Sequence, residues 1–474
     1  MNGLWKRLGV ACAVCLVSEA HTVHATDATD ATDATDATDA TARSMSLSEA
    51  LAYAASHQPA VRAAGARIQA QAAQARVPGG QWYPTLGATA QLFAATANNT
   101  TGSYVSPNFM DIPRIGGTSA TGTGSLRPEA SSFVGLGVRQ ELFDFGRIAA
   151  QTAAADAETD VLRQRADAVT LEVRFNVEES YFSVFTAKAV LKASEDAFER
   201  SRVHRGLASA GVGSGLRSPI ELTRADAELA NFDIGRVRAR AGVFAAQTLF
   251  AAAVGVPDPT LDVSEQPPAP SELPDLTQAL TRAEQRDPEL LQALSAVRAA
   301  QETTRAVGAE MRPDLSLSAT VSGRAGAARP SGAGALPDGD GFVPRVPNWD
   351  VGLVLKWPLF DGMVSARRAA SRTREQVSLA EVSVVREQMR AAIRQAYADV
   401  EVARTVLPSL QRAVDASHAN YAQADARFKA GLGTSVELAD AEALRTQAEI
   451  QFALGEFSLA RARAAFGRTI AEGL

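Results

Sequence analysis

An α+β membrane protein with an internal two-fold repeat is the fold class predicted by this sequence of 474 residues. Three observations predict it. The chain matches itself over roughly 200 residues, a length hard to obtain by chance. Each copy holds two stretches of roughly ten residues that alternate apolar with small or polar side chains, about what a tilted transmembrane strand needs. Each copy also holds about 65 residues with at most one proline, on the order of 100 Å if helical at ~1.5 Å per residue.

Before the repeat come two other segments. Residues 1–25 read as a secretory leader: Lys6 and Arg7, the apolar run "LGVACAVCLV", then "VHA" ending at Ala25. That run is too short to span a bilayer, so the leader is expected to be removed. Both cysteines, Cys12 and Cys15, lie inside it, so the mature chain is expected to hold no disulfide and no thiol ligand. Residues 26–45 repeat Thr, Asp and Ala; such a run cannot bury apolar surface and is expected to be a disordered spacer.

The repeat occupies 46–265 and 266–474. Shifting by 229 residues lays Leu47, Leu51, Ala54, Pro59, Arg76, Pro84 and Leu86 on Leu276, Leu280, Ala283, Pro288, Arg305, Pro313 and Leu315. Farther on the shift falls to 217, where "FVGLGVRQELFD" meets "DVGLVLKWPLFD", and then to 216, where "GLRSPIEL" at Gly215 meets "GLGTSVEL" at Gly431. The length difference falls in a Gly/Pro-rich segment, as expected of a loop.

In chain order each copy reads helix, strand, loop, strand, very long helix, turn, helix. "PDLSLSATVS" puts Leu315, Leu317, Ala319 and Val321 on one face and Ser316, Ser318, Thr320 and Ser322 on the other. "PTLGATAQLF", "FVGLGVRQEL" and "WDVGLVLKW" follow less strictly. Strands alone fit a soluble sheet equally well; the helices decide. No proline interrupts Arg147 to Gly213, and only Pro408 interrupts Val364 to Ala430. Val400, Ala403, Leu407, Leu410, Val414, Ser417, Tyr421, Ala424 and Phe428 recur at alternating spacings of three and four, a coiled-coil seam. Leu438, Ala441, Ala448, Phe452, Leu459 and Phe466 continue it weakly after the turn, as in an antiparallel hairpin. Four strands cannot enclose a lumen, and open edges are not tolerated in lipid, so several chains must contribute. At the strand-to-helix junctions "LFDFG" and "LFDG", Asp144 and Asp361 are expected as N-caps, with Gly146 and Gly362 permitting the change of direction.

The composition disfavours other functions. A formal net charge of -6 gives nucleic acid no support as a partner. Past the leader, His57, His204 and His418 are isolated, no phosphate loop or G-x-S-x-G occurs, and "PDGDG" lacks a glutamate at position 12 from Asp338, where Trp349 stands. No enzyme, metal or cofactor is expected. A soluble periplasmic coiled-coil adaptor stays open on the hairpins alone.

The repeated "HQPAV" and "RDPEL", the "YPTL" and "RPDL" strand entries, the "LFD" junctions and the paired "GLxxxxEL" turns, in this order and doubled, resemble the TolC-like outer-membrane factor family. The resemblance covers the chain after the spacer. It implies a homotrimer: an outer-membrane β-barrel, four strands per subunit, continued by an α-helical coiled-coil barrel across the periplasm. It also implies a periplasmic adaptor as partner, an inner-membrane ABC transporter or other pump reached through that adaptor, outer-membrane lipid, and a passive conduit whose cargo the pump selects. The spacer and the acidic balance are similar to a member that exports a protein toxin by a type I system; small-molecule efflux is the alternative.

The same resemblance makes the two "GLxxxxEL" turns the periplasmic tips where the tunnel closes. Glu221, Glu437 and Asp440 then match acids that line the constriction. The family's Tyr and Arg that tie the closed state are replaced by Phe428 and Gly433, and Arg224, three residues from Glu221, is the expected substitute. The adaptor is expected on the outside of the tips, at Gly215, Leu216, Arg217, Ser218, Gly431, Leu432, Thr434 and Ser435.

Overall fold

The computed structural model describes residues 44–95, 129–264, 274–326 and 348–472. The leader, the spacer up to residue 43, the "PDGDG" segment and the repeat boundary at 265/266 lie outside them. Ser44 and Met45, placed by sequence at the spacer's end, instead form strand β1, parallel to β4 (Asp262–Val263). Met45 is buried there against Val263 and Leu261, so the ordered domain begins earlier than the composition implied.

The same order of elements occurs twice. The first run is α1 (Leu47–His57), α2 (Pro59–Gln74), β2 (Thr85–Ala95), β3 (Glu129–Phe143), α3 (Arg147–Gly213) and α4 (Pro219–Val254). The second is α5 (Leu276–Arg286), α6 (Pro288–Ala309), β5 (Asp314–Gly326), β6 (Asn348–Lys356), α7 (Gly362–Lys429) and α8 (Ser435–Thr469). Prolines at 59 and 288 open α2 and α6 at the first turn, where the missing N–H costs nothing.

The strands form one antiparallel sheet in the order β2-β3-β5-β6. Its register aligns Leu86 with Val138, Leu136 with Val321, Val138 with Ala319, and Leu317 with Leu353. Because side chains alternate along a strand, these residues share one face with Trp349, Val351 and Leu355. That face is largely open: Leu86 is 75% exposed, Leu353 66% and Trp349 76%. Ser316, Ser318 and Thr320 lie buried on the opposite face. The sheet thus turns apolar side chains outward and small polar ones inward.

Antiparallel hairpins α3/α4 and α7/α8 extend from the sheet, and α3 also packs on α6 and α8. Two apolar cores join the middles of α3 and α7 to the ends of α4 and α8. One surrounds Val177, Tyr181, Phe250 and Val254; the other surrounds Ile393, Val400, Phe466 and Ile470. Pro408 sits inside α7 at an exposed turn, where a lost backbone bond can be replaced by water.

The two junctions differ by one residue. Asp361 is the N-cap of α7, accepting hydrogen bonds from Met363 N (2.8 Å) and Val364 N (3.1 Å). Asp144 is not the cap residue of α3, which is Gly146. Its carboxylate nevertheless accepts from Gly146 N (3.0 Å) and from Ile148 N. The additional residue forces Phe145 to φ 54° and Gly146 to φ 86°. Gly362 starts its helix without a positive φ and needs no glycine. Only the longer junction calls on glycine's freedom.

Candidate functional site

The hairpin ends carry the features the sequence singled out. Both long helices stop the same way: Gly215 and Gly431 each adopt φ 74°. Leu216 N and Arg217 N donate to Gly211 O, as Leu432 N and Gly433 N donate to Arg427 O. Glycine just past a helix end absorbs the left-handed turn and lets the next amides satisfy the last carbonyls. The returning helices start differently. Thr434 Oγ1 accepts from Glu437 N at 3.2 Å, whereas Ser218 makes no side-chain cap and Pro219 opens α4.

Arg217 departs from expectation. The sequence predicts it on an outer docking surface, yet its side chain is only 18% exposed. Its Nη1 donates to Glu221 Oε2 at 2.8 Å, and its Nη2 to the backbone oxygen of Phe428 at 3.0 Å. The guanidinium lies 3.8 Å from the centre of the Phe428 ring. One side chain of the first tip therefore grips its own helix and, 211 residues away, the end of α7. Arginine suits this use because its planar fork donates in two directions while its face stacks on an aromatic ring. Glu221 is thus partnered by Arg217 and not by Arg224, which is exposed. Phe428, buried at 2%, contributes a ring face and a carbonyl where a hydroxyl was missing.

The remaining candidates are on the surface. Glu437 is exposed, with Arg427 Nε 3.8 Å away, and Asp440 is exposed on the same helix. Leu216 and Leu432, equivalent in the two tips, are 84% and 76% exposed. Gly433 cannot accept a side chain freely, since a Cβ there would lie 3.1 Å from Phe428 N. Gly215, Ser218, Gly431 and Thr434 are exposed, and Ser435 is half-buried.

Sequence reasoning missed a polar layer set back from the tips. Glu442 of α8 is fully buried, and Arg200 of α3 donates to it through Nε at 2.8 and 3.0 Å. Tyr421 of α7 shares a 3.1 Å hydrogen bond with His204 of α3. His204 also lies 3.7 Å from Asp425, and Arg445 donates to Glu449 at 3.0 Å. Burial pushes the Tyr421 hydroxyl up to about 12, helped by Glu442 and Asp425. A sign was present in the sequence: Leu438 is followed at seam spacing by Glu442, Arg445 and Glu449 instead of apolar residues. Among the described residues no cluster of His, Cys, Asp and Glu could hold a metal ion, and no helix is long and apolar enough to cross a membrane.

The sequence pattern of the family described as outer membrane efflux protein matches residues 50–256 and 279–470. The chain belongs to that family. Protein CyaE of Bordetella pertussis is 27% identical to it over 410 residues, covering 84% of this chain and 78% of that protein. The outer-membrane channel OprN superposes with a TM-score of 0.69 at 23% identity, covering 90% of both chains. The outer membrane protein VceC from Vibrio cholerae gives 0.67 at 18% identity, covering 90% of this chain and 96% of that one. The Neisseria gonorrhoeae MtrE outer membrane channel, in its open state, gives 0.65 at 19% identity over 90% and 89%. At these identities the structures establish a shared fold, that of TolC-like outer-membrane channels.

This outer membrane efflux protein is therefore an outer-membrane protein, and its family is one of channels and transport, not of enzymes. The soluble periplasmic adaptor, which the hairpins alone left open, is set aside by the family and by the sheet's exposed apolar face.

Proposed function

We propose that this chain is the channel-tunnel subunit of a type I, ABC-transporter-driven secretion system, passing an unfolded protein toxin from a periplasmic adaptor to the exterior. The observation that carries the channel is the sheet: one face apolar and exposed, the other lined by Ser316, Ser318 and Thr320, with β2 and β6 as open edges. Lipid tolerates no unpaired strand edge, so further copies must continue the ladder. Three copies supply twelve strands and twelve helical columns, enough to enclose a lumen. Tyr83, Phe143, Trp357 and Phe360, all exposed at one end of the sheet, suit the aromatic belt of a lipid–water boundary.

In this reading the hairpin tips are the closing end, and Arg217 on Phe428 takes the place of the missing Tyr and Arg. Glu437 and Asp440, three-fold repeated, would form rings that favour cations. Replacing both by Ala should reduce cation selectivity in planar bilayers; an unaltered ion preference would place them outside the lumen. Leu216 and Leu432 would insert into the adaptor, and Leu216→Asp with Leu432→Asp should abolish co-purification of adaptor with channel. The ABC transporter is reached only through that adaptor.

Protein cargo is favoured by the likeness to Protein CyaE, higher in identity than the channel structures named above, and by the spacer's resemblance to a toxin exporter. A second reading, the outer-membrane channel of a tripartite small-molecule efflux pump, is favoured by the family's own description. Deleting the gene and measuring both toxin-like protein export and drug susceptibility separates them. Lost export with unchanged susceptibility is expected; the reverse would select efflux.

A further inference from the structure

Between the hairpins, set back from the tips, an ion pair stands where a coiled-coil seam ordinarily places apolar side chains. Arg200 Nη2 lies 2.8 Å from Glu442 Oε1, beside the two Nε contacts, and Thr446 Oγ1 donates to the same carboxylate at 3.3 Å. Glu442 is 0% exposed, so it has no water to fall back on. A buried pair adds little over apolar packing of equal size, but separating its partners without hydration is strongly unfavourable. Arg200 belongs to the first hairpin and Glu442 to the second, so the bridge is made only while the two are apposed.

A third group sits against it. Glu228 of α4 has one carboxyl oxygen sealed from solvent with no hydrogen-bond partner among the described residues. From α8 it faces Glu442 and Asp440. On α3, Arg200 is committed to Glu442 and Arg205 to Asp226 at 2.8 Å. Along the same contact lie His204 of α3, Tyr421 and Asp425 of α7, and Arg445 and Glu449 of α8.

We propose that the Arg200–Glu442 bridge is a second clasp between the two hairpins, separate from Arg217 at the tip, and that the charge on Glu228 sets how firmly it holds. The proposal rests on the reading of the tips as the closing end of a channel.

The sign follows from the environment. Burial above all, then Glu442 and Asp440, pushes the Glu228 carboxyl from its ordinary 4.5 up to about 7. Once the hairpins part and water enters, it returns toward the ordinary value. Its contribution to the closed state is therefore complete below the ordinary value and lost as pH rises through about 7. His204 acts oppositely: burial holds its imidazole below the usual range, outweighing Asp425, so protonation in acid also disfavours the closed state. Glu449, although buried, is held below the carboxylate range by Arg445 and His418 and stays ionised. The rise through neutral pH is therefore assigned to Glu228.

The test is single-channel conductance of the full-length trimer in planar bilayers from mildly acidic to mildly alkaline pH. The parent should conduct roughly three- to ten-fold more at the alkaline end, the shift expected when one perturbed carboxyl titrates. Glu228→Gln should remove that rise. Arg200→Glu should raise conductance at every pH, and combining it with Glu442→Arg should restore closure, which a merely misfolded variant would not do. Arg217→Ala should raise conductance while keeping the pH slope. An unchanged slope in Glu228→Gln would overturn the role of Glu228, and an Arg200→Glu channel as tight as the parent would overturn the clasp. A protein that conducts under no condition, with Arg217→Ala included, would overturn the channel reading itself.

Discussion

The two hairpin tips share a backbone and exchange a side chain. Under the shift of 216 residues, Gly211 corresponds to Arg427 and Arg217 to Gly433. The turn hydrogen bonds and the glycine φ of 74° coincide in both. In the first tip the glycine lies on the outgoing helix and the arginine after the turn; in the second the order is reversed. The exchange is steric. A Cβ on Gly211 would lie 2.7 Å from Arg217 Cδ, so the small residue leaves the space in which the arginine folds inward. Where Gly433 takes the arginine's place, Arg427 is displaced to the surface and lies 3.8 Å from Glu437. One tip thus bears an inward clamp and the other receives it through Phe428. Repetition of a backbone does not repeat its chemistry.

The largest effect that would break this asymmetry is expected from Arg217→Ala. It removes the two contacts that cross to the other hairpin, a charge-assisted hydrogen bond and a cation–π contact to Phe428, together worth about 2 kcal/mol. The closed-to-open ratio should fall roughly thirty-fold, read as leak conductance or as uptake of a large hydrophilic antibiotic. Arg427→Ala, at the corresponding place in the other tip, should leave that leak unchanged. Equal leaks would show that the tips are equivalent after all.

The junctions offer a second contrast of slightly smaller size. Gly146→Ala puts a side chain at φ 86° and 3.1 Å from Arg312 Nη1, and should destabilise by about 1–2 kcal/mol. Gly362→Ala adds a Cβ to open space in a helix and should be neutral or slightly stabilising. Heat resistance of the assembled protein on gels reads both, and equal losses would remove the distinction. Smallest is the difference between caps. Thr434→Ala should cost about 1 kcal/mol, and Ser218→Ala, which loses no cap bond, only a few tenths. Hydrogen exchange at the first amides of α4 and α8 would resolve them.

Much of this architecture was legible because it rests on local rules. The alternation in "PDLSLSATVS" became β5, with Ser316, Ser318 and Thr320 turned to the protected face. The proline-free run from Arg147 to Gly213 is α3, residue for residue. The seam from Val400 to Phe428 is buried or half-buried at each named position. What escaped depended on distance along the chain. Arg217 looked like a surface residue, because its partner Phe428 lies on another helix. Arg224 looked like the partner of Glu221, because three-residue spacing on a helix satisfies a local rule that Arg217, four residues before, satisfied better. At the first junction, one added phenylalanine moved the cap from Asp144 to Gly146.

By itself the sequence determined periodicity, length and turn chemistry: which residues form strands, how far the helices run, and where glycine ends them. These follow from sterics and side-chain spacing within a few residues. Tertiary structure alone decided which charges pair across the hairpins. Glu442 and Arg200 are 242 residues apart, and neither side chain carries a mark of the other until the hairpins meet. An ion pair's worth depends on the water it excludes, and only the assembled helices exclude it.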